Sequence, residues 1–347
     1  MSEPVFSQAA PARRAVDVTI IVKALNEERH IAACLASAKA ALQGLNGEIL
    51  LADSVSADRT VEIAQQMNVR IVQFESAADR NCGATLQLGY QFAQGSYIYV
   101  LDGDMTLEPD FIIRALAYLK ENPNVAGVGG KLIDTQFNTL ADRFRAARYA
   151  ALRGAQEVDV LGGGGLYRRA AVDEVGYLAH RGLSAFEELE LGVRLRSKGY
   201  RLVRLPDAAI SHTGHNETSY QMLMRLWRNG RIRASGSFLR SALGRPWMGR
   251  ALRHCWFVFA APLLYLACAL LAAAAVATGM SLLSASLLSL LVVWLPVLLA
   301  LLWKKRSLSE AGLSLLTWHM YAVGAIPGLL RAVRDPGQAI PARVIAD

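Results

Sequence analysis

From Val18 onward the chain alternates short apolar runs with longer amphipathic ones. Val18 to Val22 reads as a strand, followed by the polar turn Lys23-Ala24-Leu25-Asn26-Glu27-Glu28. Ile31 to Leu42 has helical spacing and closes at Gly44 and Gly47. Glu48 to Ala52 is the next strand, ending at Asp53. A helix capped by Ser56 or Asp58 then runs through Met67, and Val69 to Phe74 is a third strand. A helix around Ala84 to Ala93 precedes the apolar strand that ends in Asp102-Gly103-Asp104. This βαβαβ alternation predicts an α/β domain, a parallel sheet covered by helices on both faces. Ligands of such sheets bind beyond the carboxyl ends of the strands. Asn26, Asp53, Asp102 and Asp104 all follow strand ends, so the pattern places them along one rim. Further on, Phe111 to Lys120 reads as a helix and Val125 to Ile133 as a strand. Arg143, Arg145, Arg148 and Arg153 mark a basic helix that faces either lipid or solvent. A helix through Arg196 and a strand from Arg201 to Leu205 follow, and Ile210-Ser211-His212 closes the domain.

The apolar pattern changes character after Cys255. Trp256 to Met280 and Ser281 to Trp303 contain no charged residue. At about 1.5 Å per helical residue each is long enough to cross a bilayer core. A third run, Ala311 to Leu330, carries His319, Gly324 and Pro327, and is compatible with spanning, re-entering or lying in the interface. The predicted organisation is a flexible N-terminus (1–16), a globular domain (17–215), basic juxtamembrane helices (216–254), two or three transmembrane helices (255–333) and a tail (334–347).

Charge orients that arrangement. The net charge of +8 is concentrated around the apolar runs. Arg225, Arg228, Arg231, Arg233, Arg240, Arg245, Arg250 and Arg253 precede the first, and Lys304, Lys305 and Arg306 follow the second. No Asp or Glu lies between Thr218 and Ser309. Both clusters fall on one side of a two-span hairpin, which the positive-inside rule places in the cytoplasm. Beside helices of bilayer length, anionic lipid headgroups fit such arginines better than nucleic acid does. Residues 1–16 have no apolar core of signal-peptide length, so the globular domain is expected to stay in the cytoplasm. Cys34, Cys82, Cys255 and Cys268 have no metal-ligand spacing and imply no disulfide framework, which suits a reducing compartment.

Asp102 and Asp104 are the most informative pair. Side chains two apart on an extended backbone can share one side, and Gly103 lets a ligand approach the backbone. Two carboxylates at a strand end suit Mg²⁺ or Mn²⁺, which bind through one or two carboxylates and substrate phosphates. Asp53 is placed to accept from a ring N–H or a ribose hydroxyl. Glu187 and Glu188 stand at a helix start, where the macrodipole favours acids and where a carboxylate can also act as a general base. Gly162 to Gly165 allow either a loose loop or close approach of backbone to a ligand.

Taken together, these segments resemble the family 2 glycosyltransferases of GT-A fold, from about Val18 to His212. Thr19 to Glu28 is similar to the family's apolar strand and Asn-Glu-Glu turn. Leu51 to Thr60 looks like its Asp-Ser-x-Ser-x-Asp-x-Thr segment. Gly89-Tyr90-Gln91-Phe92-Ala93-Gln94-Gly95-Ser96-Tyr97 matches the stretch before its Asp-x-Asp, although Gln87 stands where many relatives have Asn. The resemblance implies a Rossmann-like, mostly parallel sheet followed by a C-terminal α-helical membrane region. It implies that Asn26, Glu27 and Asp53 line the nucleotide pocket, with Arg80 near a donor phosphate. Asp102 and Asp104 would hold Mg²⁺ or Mn²⁺ against the diphosphate, and His212 is a candidate third ligand. Glu188 would be the catalytic base where the family usually has Asp, with Glu187 the fallback. Gly163, Gly164 and Gly165 would lie on the acceptor side. Gln221 and Arg225-Leu226-Trp227 resemble the Gln-x-x-Arg-Trp element of processive synthases, with different spacing. The expected activity is inverting, metal-dependent transfer from a UDP- or GDP-sugar to a membrane acceptor. A polyprenyl-diphosphate-linked oligosaccharide in exopolysaccharide or cell-surface glycan assembly fits best. The alternatives are a polyprenyl-phosphate glycosyltransferase, and a nucleotidyltransferase or inactive nucleotide-binding anchor.

Overall fold

A computed structural model describes residues 16–136, 138–212 and 217–347. The expected flexible N-terminus lies, apart from Val16, outside the described residues, as do 213–216 at the expected domain boundary.

The first half follows the apolar pattern closely. It runs β1 (Val18–Ala24), α1 (Ile31–Ala41), β2 (Gly47–Asp53), α2 (Thr60–Gln66), β3 (Arg70–Phe74), α3 (Cys82–Phe92) and β4 (Tyr97–Asp102). Strands β3, β2, β1 and β4 are neighbours in that order, all parallel. Alternation sorts their side chains onto two faces. Ile20, Val22, Tyr99 and Leu101 pack with α1 residues such as Ile31 and Leu35, whereas Ile21, Leu50, Ile98 and Val100 pack with α3 through Leu86 and Leu88. Unbroken apolar strands are what burial on both faces requires.

The second half is mixed rather than parallel. It comprises β5 (Met105–Leu107), α4 (Phe111–Glu121), β6 (Val125–Asp134), α5 (Leu140–Ala150), β7 (Gln156–Val158), β8 (Gly165–Arg168), α6 (Arg169–Glu174), α7 (Glu187–Ser197) and β9 (Arg201–His212). β8 joins β4 and β6 by antiparallel pairing, and β5 returns along β9. Strand β9 is longer than the expected run to Leu205 and reaches His212 directly. The basic helix α5 is tied down by Arg145, which pairs with Asp134 at 2.7 Å and Asp142 at 2.7 Å. Lys305 lies over its Phe144 ring at 4.5 Å, so α5 sits against the end of a long apolar helix.

Short helices α8 (Ser219–Arg228), α9 (Arg233–Ala242) and α10 (Met248–His254) lead to α11 (Trp256–Ala277), α12 (Leu282–Lys305) and α13 (Leu308–Leu330). By length and composition the last three can each cross a membrane. α11 and α13 share a core with the globular domain: Leu183 and Val193 pack with Phe238, Ala251, Val258 and Ala325. The expected tail at 334–347 instead contains β10 (Ala342–Ala346), antiparallel to β3 with Ala342 opposite Phe74 and Val344 opposite Val72. Its short apolar stretch caps an edge of the sheet that would otherwise present unpaired backbone groups.

One buried ion pair sets the position of α7. Glu190 and Arg194, both essentially inaccessible, pair at 2.8 Å. Tyr177 donates to Glu190 at 2.6 Å, and Arg194 also donates to the Tyr177 carbonyl at 2.9 Å. Removing one partner strands the other charge, so Glu190→Ala is expected to cost ~3–5 kcal/mol of stability, read from denaturant melts.

Candidate active site

The site forms where β1 lies between β2 and β4, the switch point of the parallel strands. Register brings Lys23 opposite Asp102 and Ala24 opposite Asp53. A cleft of ≈ 590 Å³ opens there, lined among others by Lys23, Glu27, Arg80, Asp102, Asp104 and Arg231. Lys23 Nζ sits 3.0 Å from Asp102 Oδ1 and 3.3 Å from Glu187 Oε1. Burial alone would lower the Lys23 pKa, but Asp102 and then Glu187 outweigh it and raise it well above its ordinary value. Burial raises the Asp102 pKa; Lys23 opposes that and Asp104 adds to it.

Asp104 ends the turn just before β5, whose Met105–His212 register pair with β9 sets the approach. Asp104 Oδ2 is 3.4 Å from His212 Nε2, and His212 Nδ1 is 3.2 Å from Asp134 Oδ1. The hydrogen bond to Asp104 is the main reason the His212 pKa is raised; burial opposes it and Asp134 reinforces it. Of the three expected ligands the structure pairs Asp104 with His212, while Asp102 is engaged by Lys23. Among the described residues no three His, Cys, Asp or Glu side chains converge tightly enough to cage an ion by themselves. Hard cations that keep substrate phosphates among their ligands need no such cage. The donor set of Asp104 carboxylate and His212 imidazole, with Asp102 adjacent, fits Mn²⁺ or Mg²⁺ held jointly with a diphosphate.

Glu27 lines the cleft on the β2 side, whereas Asn26 and Asp53 stand behind it and are not among its lining residues. Asn26, at φ 59°, accepts from Ala57 N at 2.8 Å and donates its own N–H to Ser56 Oγ at 2.9 Å. Asp53 is fully buried and accepts from Ser56 N, Ser56 Oγ and Gln73 Nε2. Asp58 acts as turn chemistry, accepting from Thr60 N at 3.0 Å and Glu28 N at 3.0 Å. Val55 is held at φ 59°, a conformation costly for a β-branched residue. Arg80 reaches the Ser54 carbonyl at 3.3 Å, beside this strained turn. Burial is the main cause that raises the Glu27 pKa.

Glu187 and Glu188 open α7, directly after Phe186, which is left-handed at φ 68°. The Phe186 ring stacks on Phe238 of α9 at 6.0 Å, so a juxtamembrane helix braces the residue that aims both acids. Burial, reinforced by Glu187 and Asp102 and opposed by Lys23, raises Glu188 to a pKa of about 7. The backbone N–H of Gly164 faces its carboxylate and tempers that rise. Gly162, Gly163 and Gly164 all have positive φ, and a Cβ on Gly164 would lie 2.8 Å from Val100 O. Positive φ accounts for all three glycines, and close packing against Leu132 and Val100 for Gly163 and Gly164. Gly165 is already in β8. Arg168 and Arg169, next in the sequence, turn away: Arg169 is buried against the Gly95 and Ala93 carbonyls at 2.7 and 2.6 Å.

Two cleft residues escaped assignment from sequence. Lys23 stands inside the opening motif, and only strand register reveals its pairing with Asp102. Arg231 belongs to the run expected to face lipid, yet it enters the cleft, donating to Ser184 O at 3.2 Å and Cys82 Sγ at 3.4 Å. Other members of that run are also spent internally: Arg225 pairs with Glu217, and Arg253 with Asp159.

Residues 19–176 match the family described as Glycosyl transferase family 2. The chain carries a domain of that family. Among curated relatives, a dolichol-phosphate mannosyltransferase from Pyrococcus furiosus is 26% identical over 118 residues, 33% of this chain and 33% of that protein. A dolichyl-phosphate hexose transferase from Haloferax volcanii is 26% identical over 196 residues, covering 55% of this chain and 81% of the relative. The chain therefore matches only about a third of the first relative's length. Among solved structures, the mannosyltransferase PcManGT from Pyrobaculum calidifontis, in complex with GDP-Man and Mn²⁺, superposes with a TM-score of 0.60 at 18% identity. That superposition covers 90% of this chain and 88% of that one. The fold is thus of the GT-A type, with long apolar helices after it.

Proposed function

We propose that this protein is an inverting glycosyltransferase working at the cytoplasmic face of a membrane. It moves a sugar from a UDP- or GDP-sugar to a hydroxyl of a lipid-linked acceptor, best fitted by a polyprenyl-diphosphate-linked oligosaccharide. The observation that carries this reading is a carboxylate–imidazole pair and a carboxyl of raised pKa, both beyond the strand ends. Asp104 and His212, beside Asp102, stand where a diphosphate would lie, and Glu188 faces the glycine loop at a pKa of about 7. The acceptor oxygen bonds to the anomeric carbon as the carbon–oxygen bond to the diphosphate breaks. Glu188 takes the hydroxyl proton, and the bonding pair leaves with the diphosphate. A divalent ion at Asp104 and His212 would neutralise charge on that leaving group. Lys23 and Arg231 add fixed positive charge along the same wall.

Binding of GDP-Man and Mn²⁺ by the structural neighbour supports the donor and the ion. A nucleotidyltransferase is disfavoured because the first strand is followed by Lys23-Ala24-Leu25-Asn26-Glu27 rather than a Gly-rich phosphate loop. A second reading, a polyprenyl-phosphate acceptor, is favoured by the names of the Pyrococcus and Haloferax relatives. Purified protein given labelled donor separates the two. We expect label in lipid when the acceptor pool carries diphosphate-linked sugars and none with polyprenyl phosphate alone; the reverse result establishes the second reading.

Arg231 provides a further check. Its guanidinium is placed to contact the diphosphate, and a charged hydrogen bond contributes ~1.5–3 kcal/mol. Arg231→Ala is expected to raise the donor KM by ~10–100-fold, with partial recovery in Arg231→Lys. A KM unchanged in steady-state assays would remove Arg231 from the donor site.

A further inference from the structure

Of the three long apolar helices, we infer that α13 does not cross the membrane. It lies along the cytoplasmic boundary, with its outward face among headgroups and the first acyl carbons. Chain parity excludes three crossings. Strand β10 follows α13 and pairs with β3 in the same sheet that precedes α11. The number of crossings between α10 and β10 must therefore be even, and three helices are candidates.

The contacts of α13 show which one stays out. A spanning helix touches the globular domain at one end only, whereas α13, about 34 Å long at 1.5 Å per residue, meets it at both. Near its start, Ser309, Glu310 and Leu313 line a cavity of ≈ 390 Å³ together with Asn138, Arg143 and Thr218 of the domain. Near its end, Ala325 shares a core with Leu183 and Val193 of the domain, and Gly324 and Gly328 let it press on α9: a Cβ at Gly328 would lie 2.1 Å from Arg233 O, and one at Gly236 1.9 Å from Ala325 O. Its middle packs across the base of the hairpin, from the first turn of α11 to Tyr265 and Trp294, whose rings meet His319 at 5.7 and 5.4 Å. Trp318 meets Trp256 at 5.6 Å and Tyr321 meets Phe257 at 4.8 Å. Aromatic clustering of this kind is typical of the membrane–water boundary.

Charge and exposure agree. Lys304, Lys305 and Arg306 stand just before α13, and Arg331 and Arg334 just after it. Basic residues at both ends fit a helix whose two ends rest on the same anionic surface. Ala311, Gly324, Ala325 and Gly328 are buried, while Leu316, Val323, Ile326 and Leu330 are exposed. That outward face suits the interfacial plane. Helices α11 and α12 remain as a hairpin that crosses and returns. This topology does not depend on the reaction proposed above.

Single cysteines test it in a Cys82→Ser background, the other native cysteines being buried. In right-side-out vesicles, a membrane-impermeant maleimide is expected to label Met280→Cys, in the α11–α12 turn. Ser309→Cys and Ala332→Cys should react only after permeabilisation. Labelling of Ala332→Cys from outside overturns the inference, and so does protection of Met280→Cys. A green fluorescent protein fused after Asp347 gives a second reading that needs no cysteine. Fluorescence with the full-length chain in the membrane fraction is expected; a dark fusion in that fraction contradicts the inference.

Discussion

Replacing Glu188 by glutamine is expected to lower kcat by ~10²–10⁴, the usual contribution of a positioned general base. Glutamine preserves the size of the side chain and its place at the start of α7, so donor affinity should change little. The loss therefore falls on the chemical step. The pH profile gives an independent signature. With a pKa of about 7, the Glu188 carboxyl is protonated and idle in mildly acid solution. It becomes a base as pH rises. Log kcat/KM should climb with unit slope below about 7 and level off above it, and the climb should vanish in Glu188→Gln. A phosphate acceptor needs no such base. Under that second reading, rate and profile would both survive the substitution, which makes this variant informative about the acceptor as well as the residue.

Asp104→Ala is expected to remove metal-stimulated transfer, a loss of ~10²–10³ in kcat if it deletes one stabiliser of the leaving group. Asp104 is the carboxylate facing His212 at 3.4 Å, whereas Asp102 is already engaged by Lys23 at 3.0 Å. Alanine at 104 thus removes one of the two carboxylates facing His212, the other being Asp134 at 3.2 Å. Titrating Mn²⁺ against initial rate checks the prediction: the variant should need far more ion or fail to respond. An unchanged metal response would separate Asp104 from the ion. Because Asp104 sits on a partly exposed turn, thermal stability should barely move, so lost activity would not reflect unfolding.

The parallel half of the fold was legible because strands buried on both faces are written as unbroken apolar runs. The first polar residue after each run then marks the rim, and Asp53 and Asp102 were visible for that reason. His212 and Glu188 could be proposed from motif order, but their surroundings could not. The raised pKa of Glu188 comes from burial beneath the glycine loop and from two neighbouring acids brought in by other elements. Phe186 in a left-handed conformation has no sequence signal, since nothing about a phenylalanine announces φ 68°. Arg231 was misplaced for a different reason. Charge patterning assigns a run of arginines to one environment, whereas the fold sends Arg225, Arg250 and Arg253 to carboxylates and Arg231 to the cleft. The edge strand β10 was missed because its partner lies at the other end of the chain and five residues carry little periodicity. That omission concealed the parity argument for α13.

The central claim is tested most directly by incubating the purified full-length protein with a panel of UDP- and GDP-sugars, Mn²⁺ and a membrane lipid extract. The account predicts, for one donor, release of nucleoside diphosphate in step with appearance of the labelled sugar in the lipid phase. Release of pyrophosphate, or no turnover of any donor, would contradict it.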